Sequence, residues 1–157
     1  MPRLEEQLGE VLHEKRLTIS VAESCTGGLL ASRITDVSGA SDYFRGGVVA
    51  YQNKFKETLL GVPAHILAER GAISRETAQA MAKGCRKLFQ SDIAAAITGI
   101  AGPTGGTQSK PVGLVYIAVV SEKGSVGKRF VWSGSRMSNK EASVGAALKM
   151  ILSLVLR

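Results

Sequence analysis

The chain has 157 residues, 45% apolar and 21% charged, with 20 Lys+Arg against 13 Asp+Glu, two His and two Cys. A chain of this size buries roughly two thirds of its unfolded surface and forms a core without disulfides or a structural metal, which excludes the stapled mini-protein classes and predicts one domain over residues 1–157. Cys25 and Cys85 are far apart with no C-x-x-C, which argues for a reducing, cytoplasmic compartment and against a zinc ribbon. Residues 1–16 hold no unbroken apolar stretch, and nowhere do 18 apolar residues run together, so neither a signal peptide nor a membrane span is expected.

Leu4, Leu8, Val11 and Leu12 recur at helical spacing and predict an opening amphipathic helix to about Lys15. Leu17 to Ala22 is short and rich in β-branched residues, a strand, followed by a tight turn from Glu23 to Gly28 and a helix from Leu29 to Ile34. Tyr43 to Tyr51 predicts a second strand with Gly46-Gly47 at a bulge or close backbone approach. Asn53 is placed to cap a short helix through Leu60. Pro63 introduces a helix over residues 64–69, closed by Gly71. Ser74 caps a further helix whose apolar face comprises Ala78, Met81, Ala82, Cys85, Leu88 and Phe89. Ile93 to Ile97 is a continuous apolar run suited to a central strand buried on both faces, leading into the Gly/Pro-rich loop Thr98 to Gly106. Val112 to Ser121 and Val126 to Trp132 predict a hairpin, and Val144, Ala147, Leu148, Ile151, Leu152 and Val155 mark a closing helix. The expected architecture is a three-layer α/β/α sandwich with a mixed β-sheet.

The net charge of +7 admits nucleic acid, an anionic membrane surface or a phosphorylated small molecule. Basic residues are scattered in runs no longer than two and aromatics are 5% of the chain, which argues against a stacking groove for nucleic acid. Ligands of open α/β sheets bind at the carboxyl ends of strands, which directs attention to three turns: Glu23 to Gly28, Tyr51 to Lys56 and Thr98 to Gly106. The first sets Ser24, Cys25 and Thr26 before Gly27 and Gly28 at a helix start, where N–H groups can hold a phosphate or an oxyanion. The bland alternative is a capping hydroxyl and a permissive turn. His13 and His65 fall away from these turns and neither has an evident Asp partner, so a Ser-His-Asp triad and His-based metal sites are disfavoured. A lysine base remains. Lys56 falls in a first helical turn, where the macrodipole disfavours an ammonium, whereas Lys54 is expected in solvent. Ser125 and Lys128 match S-x-x-K, but in a hairpin and without a following K-T-G.

AESCTGG at 22–28, Y-x-N-x-x-K at 51–56, GAIS at 71–74, TGIAGPTGG at 98–106 and KPVG at 110–113 together resemble the CinA C-terminal domain family, in its order and spacing, over nearly the whole chain. That family includes stand-alone amidohydrolases of nicotinamide mononucleotide (NMN) that use a Ser/Lys pair. The resemblance implies Ser24 as nucleophile, Lys56 as general base, and Tyr51 and Thr98 as polar neighbours. It also implies Thr26, Gly27, Gly28, Gly99, Gly102 and Arg136 around the substrate, with N–H groups at 26–28 receiving the oxyanion and Arg136 a phosphate. It implies no cofactor and no metal, a small-molecule nucleotide (NMN) as partner, no membrane, and leaves a homo-oligomer open. Ser135 stands where the family's G-D-R has its acid. The chain lacks the N-terminal molybdopterin-binding-like domain of full CinA proteins, so a stand-alone unit is expected. Two readings without acyl transfer stay open: a nucleotide-binding regulatory module, and a nucleic-acid partner linked to DNA uptake, which the family's historical name suggests.

Overall fold

A computed structural model describes all of residues 1–157. Helix α1 (Leu4–Lys15) leads into strand β1 (Ile19–Glu23), helix α2 (Leu29–Thr35), a 3₁₀ turn (Ala40–Asp42) and strand β2 (Phe44–Val49). Helices α3 (Asn53–Leu60), α4 (Ala64–Arg70) and α5 (Arg75–Phe89) precede strands β3 (Ile93–Gly99), β4 (Leu114–Ser121) and β5 (Gly124–Val131), and α6 (Arg136–Val155) closes the chain. The sheet order is β2-β1-β3-β4-β5, with β1 parallel to both β2 and β3 and the β4–β5 hairpin antiparallel. The sheet is therefore mixed, as expected. No helix is long and apolar enough to cross a membrane.

Alternation along the strands decides what each face receives. In β3, Ile93, Ala95 and Ile97 face the cluster that includes Leu8, Leu12, Leu30 and Leu148 from α1, α2 and α6. The opposite face presents Ala22, Ala94, Ala96 and Ala118 to Ala78, Met81, Ala82 and Cys85 of α5. A floor of alanines lets α5 lie close to the sheet. Helix α3 is held as closely, because a Cβ on Gly84 of α5 would lie 1.6 Å from the Leu60 carbonyl oxygen.

Several boundaries differ from expectation for identifiable reasons. Strand β1 starts two residues late because Arg16 closes α1 in the left-handed region, the Leu17 amide returns to Leu12 and the Thr18 amide is taken by the Asp92 carboxylate. Helix α3 is capped at Gln52, in extended backbone, and Asn53 is its first helical residue. Leu88 does not join the apolar face of α5: it is 53% exposed. Helix α6 starts eight residues before its first predicted apolar position, at Arg136, with the Ser135 hydroxyl accepting from the Ser138 amide. His13 does have an acidic neighbour, Asp42 at 3.5 Å, but both are exposed and neither lines the cavity described below.

Because the Gly84–Leu60 contact leaves no room for a methyl group, Gly84→Ala must push α3 away from α5. Overpacking of this kind costs about 1–3 kcal/mol, so the midpoint of guanidinium denaturation is expected to fall; an unchanged midpoint would refute the packing argument.

Candidate active site

The parallel strands β1, β2 and β3 deliver the three glycine- and hydroxyl-rich turns to one edge of the sheet, on either side of β1, where the winding direction reverses. There a cavity of about 360 Å³ is lined by Ser24, Cys25, Tyr51, Asn53, Lys56, Ala72, Ile73, Thr98 and Arg136, together with Gly99, Ile100, Ala101, Gly102, Thr104 and Gly105. That volume falls in the usual range for ligand sites, roughly 300–1,000 Å³.

Ser24 follows β1 directly. Its amide donates to the Ile97 carbonyl of β3 (3.0 Å), which continues the sheet by one bond, and its hydroxyl makes no hydrogen bond within the chain. The turn beyond it is fixed by a group the sequence reading passed over. The Glu23 carboxylate, 1% exposed, accepts from the Thr26 hydroxyl (2.6 Å) and from the Leu30 and Ala31 amides (2.9 and 3.0 Å). The N-terminus of α2 is thus filled by a carboxylate of the chain itself, where the macrodipole favours one. Thr26, Gly27 and Gly28 lie outside the cavity lining: the Thr26 hydroxyl belongs to Glu23, and the Gly27 amide donates to the Ser24 carbonyl (3.1 Å). The amides of Cys25 and Thr26 have no acceptor in the chain. The same holds for the amides of Gly102, Thr104 and Gly105 in the loop opposite.

Lys56 is 1% exposed and has no carboxylate within ion-pair distance; its amine donates to the Tyr51 carbonyl (3.0 Å). Burial pushes its pKa below that of an ordinary lysine, with the nearby Cys25 opposing. The Cys25 thiol is pushed up to about 11, chiefly by burial. Lysine and thiol are therefore both driven toward their neutral forms. Ser24 and Lys56 share the cavity without a direct hydrogen bond.

Thr98 ends β3 with its hydroxyl donating to the Ala72 carbonyl (2.8 Å), joining the strand to the segment between α4 and α5. Arg136, exposed at the rim, donates to the Gly102 carbonyl (2.8 Å) and the Tyr51 hydroxyl (3.1 Å), so it bridges two of the three turns. The 2% exposed Asn139, one turn further along α6, was also missed. Its amide nitrogen donates to the Ala101 and Gly134 carbonyls (3.0 and 3.1 Å) and its oxygen accepts from the Gly134 amide (2.9 Å), fastening α6 to the glycine loop. No signal in the sequence singles out Asn139, because the Ala101 partner is 38 residues away. No three His, Cys, Asp or Glu side chains converge to form a metal-ligand set.

Residues 1–155 match the model of the CinA C-terminal domain. The chain is 53% identical over 150 residues to a CinA-like protein of Koribacter versatilis, covering 94% of this chain and 36% of that relative. It spans between about a third and two fifths of the curated relatives it matches. A crystal structure of the competence/damage inducible protein CihA from Agrobacterium tumefaciens superposes with a TM-score of 0.91 at 38% identity, covering 98% of this chain and 97% of that one. A CinA superfamily protein from Klebsiella pneumoniae superposes with a TM-score of 0.94 at 29% identity, covering 98% and 96%. With strands, turns and cavity in the arrangement described, the chain belongs to the CinA C-terminal domain family.

Proposed function

We propose that the chain is an amidohydrolase that converts NMN to nicotinic acid mononucleotide and ammonia through Ser24 and Lys56. The observation that carries this reading is a buried amine without a counter-ion, Lys56, lining the same cavity as an unbonded serine hydroxyl. A neutral amine that donates one N–H to the Tyr51 carbonyl keeps its lone pair for the Ser24 proton. Ser24 Oγ then attacks the carboxamide carbon, and the free Cys25 amide next to the nucleophile is suited to the developing oxyanion. Lys56, now protonated, returns the proton to the departing nitrogen, and ammonia leaves. Water, deprotonated by Lys56, cleaves the acyl ester, and the proton returns to Ser24. Arg136 and the free amides of Gly102, Thr104 and Gly105 offer charge-assisted and dipolar donors to a 5′-phosphate.

Three outcomes test this reading. Ser24→Ala abolishes ammonia release from NMN, whereas Cys25→Ala retains most of it, since a thiol with a pKa of about 11 is almost wholly protonated at neutral pH. The reverse order, or a trapped acyl group found on Cys25 by mass spectrometry, would overturn the serine assignment.

Loss of Lys56 as base, in Lys56→Met, lowers kcat by about 10²–10⁴-fold, and Lys54→Ala changes it little. Because burial lowers the Lys56 pKa, the active neutral form gains population as pH rises. The kcat/KM profile should therefore climb with pH and level off below the pKa of a solvated lysine. A flat profile, or equal losses in the two variants, would sink the base assignment.

Nicotinamide riboside has the same amide and no phosphate. If Arg136 grips the phosphate, NMN is far the better substrate, with the riboside losing kcat as well as KM because remote binding energy positions the amide. Arg136→Ala removes most of that preference, a charged hydrogen bond being worth roughly 1.5–3 kcal/mol. An undiminished preference would move the phosphate to the loop amides, and NMN binding without ammonia release would favour a regulatory module.

A further inference from the structure

A larger depression lies elsewhere on the molecule. It is a groove of about 650 Å³ on the layer of α1, α2 and α6, beside the edge strand β5, and it shares no lining residue with the Ser24 cavity. Phe130 near the end of β5 and Trp132 just beyond it, two residues apart, project from the same face and stack with ring centroids 5.0 Å apart at 13°. The Trp132 indole N–H is already used, donating to the Ser143 hydroxyl (3.0 Å), which fixes the ring and leaves the pair a half-buried aromatic surface without a free donor. The facing wall of α6 is cut away at Gly145, where a Cβ would meet no atom within 4 Å.

The charge around this surface has one sign. Arg33, Lys128 and Lys149 line the groove and no acidic residue does. Arg33 is paired with Glu5 (2.8 Å), but Lys128 on β5 and Lys149 on α6 are exposed and take part in no ion pair. A second copy docked groove to groove would set like charges against each other, and an anion without a ring would leave the aromatic surface uncovered. From this arrangement we infer that the groove is a second binding site, for a nucleotide: a planar base covers the Phe130–Trp132 surface, and its phosphate lies between Lys128 and Lys149. Stacking on aromatic rings beside free cations is how proteins hold unpaired bases and their phosphates. The inference does not rest on the amidohydrolase reading.

Trp132 is the only tryptophan in the chain, so its emission reports on this groove and not on the Ser24 cavity. Titration with AMP, corrected for adenine absorbance and paired with calorimetry, is expected to quench Trp132 saturably, and more weakly as salt rises. Adenosine, lacking the phosphate, and the double variant Lys128→Glu/Lys149→Glu should each raise Kd by roughly tenfold or more. Gly145→Phe keeps every charge, fills the groove and should cause the same loss. Both variants alter open surface positions, so melting temperature and NMN turnover should match wild type, which separates this outcome from failure of the catalytic reading. The inference is overturned if quenching is not saturable or persists unchanged in Gly145→Phe. It is equally overturned if calorimetry detects AMP while Trp132 stays silent, which would put the nucleotide elsewhere, or if only an acidic peptide moves the emission.

Discussion

The geometry of the candidate active site depends on one buried carboxylate. Glu23 ends β1 inside the protein with no cation within ion-pair distance, a state that would be prohibitive without strong donors. It has three, the Thr26 hydroxyl and two amides of the first turn of α2, and two of them belong to a helix end where the dipole favours an anion. The strand and the helix are thereby locked through a short turn that has little freedom left. Ser24 is held at the carboxyl edge by its amide bond to Ile97, and Cys25 and Thr26 are left with unused N–H groups because the carboxylate takes the later ones. The helix terminus that the glycines advertise is therefore not open to a ligand. Any anion in the cavity must use the amides before it, the glycine loop or Arg136.

Lys56 is handled in the opposite way. Glu23 is buried and fully provided with donors, so its charge is supported; Lys56 is buried beside a single carbonyl, so its charge is not. Leu60 and Val62 lie in the core against α5, and the Val62 amide returns to the Lys56 carbonyl, which together hold α3 against the molecule and keep Lys56 in the cavity wall. The Gly84 contact with Leu60 is part of the same restraint. A buried carboxylate fixed by three donors sets the geometry of the Ser24 turn, and a buried amine driven toward its neutral form lines the same cavity as that serine.

Much of this was legible in the sequence, and the exceptions share a cause. The run at Ile93 to Ile97, the Ser74 cap and the three turns at strand ends are local patterns, and the structure brings Ser24, Tyr51, Lys56, Thr98, Gly99, Gly102 and Arg136 to one cavity. Gln52 displaces Asn53 as cap because the backbone is still extended at Gln52 and Asn53 is already helical, a tertiary matter. Glu23 reads as a turn residue because its donors come up to eight residues later, from a helix whose position only the fold sets. Asn139 and the early start of α6 were hidden for the same reason: the first turns of that helix are polar because they serve the glycine loop rather than the core. The Phe130–Trp132 surface reads as ordinary hairpin sequence until α6 is seen to leave it half covered.

The beginning of α6 shows how a departure from the family's pattern can leave the structure intact. The resemblance sets Ser135 where the family's motif has an acid; both residue types cap helices through a side-chain oxygen, and Ser135 does so by accepting from the Ser138 amide. The cap sets the first turn, the first turn sets Arg136, and Asn139 ties that turn to Ala101 and Gly134. Lys149 lies thirteen residues beyond Arg136 on the same helix, about 20 Å along its axis at 1.5 Å per residue. The rim of the Ser24 cavity and the aromatic groove are therefore lined from two parts of one helix. The bonds of Asn139 to Ala101 and Gly134 fasten the first turn of that helix to the glycine loop, while Gly145 and Lys149 further along it line the groove.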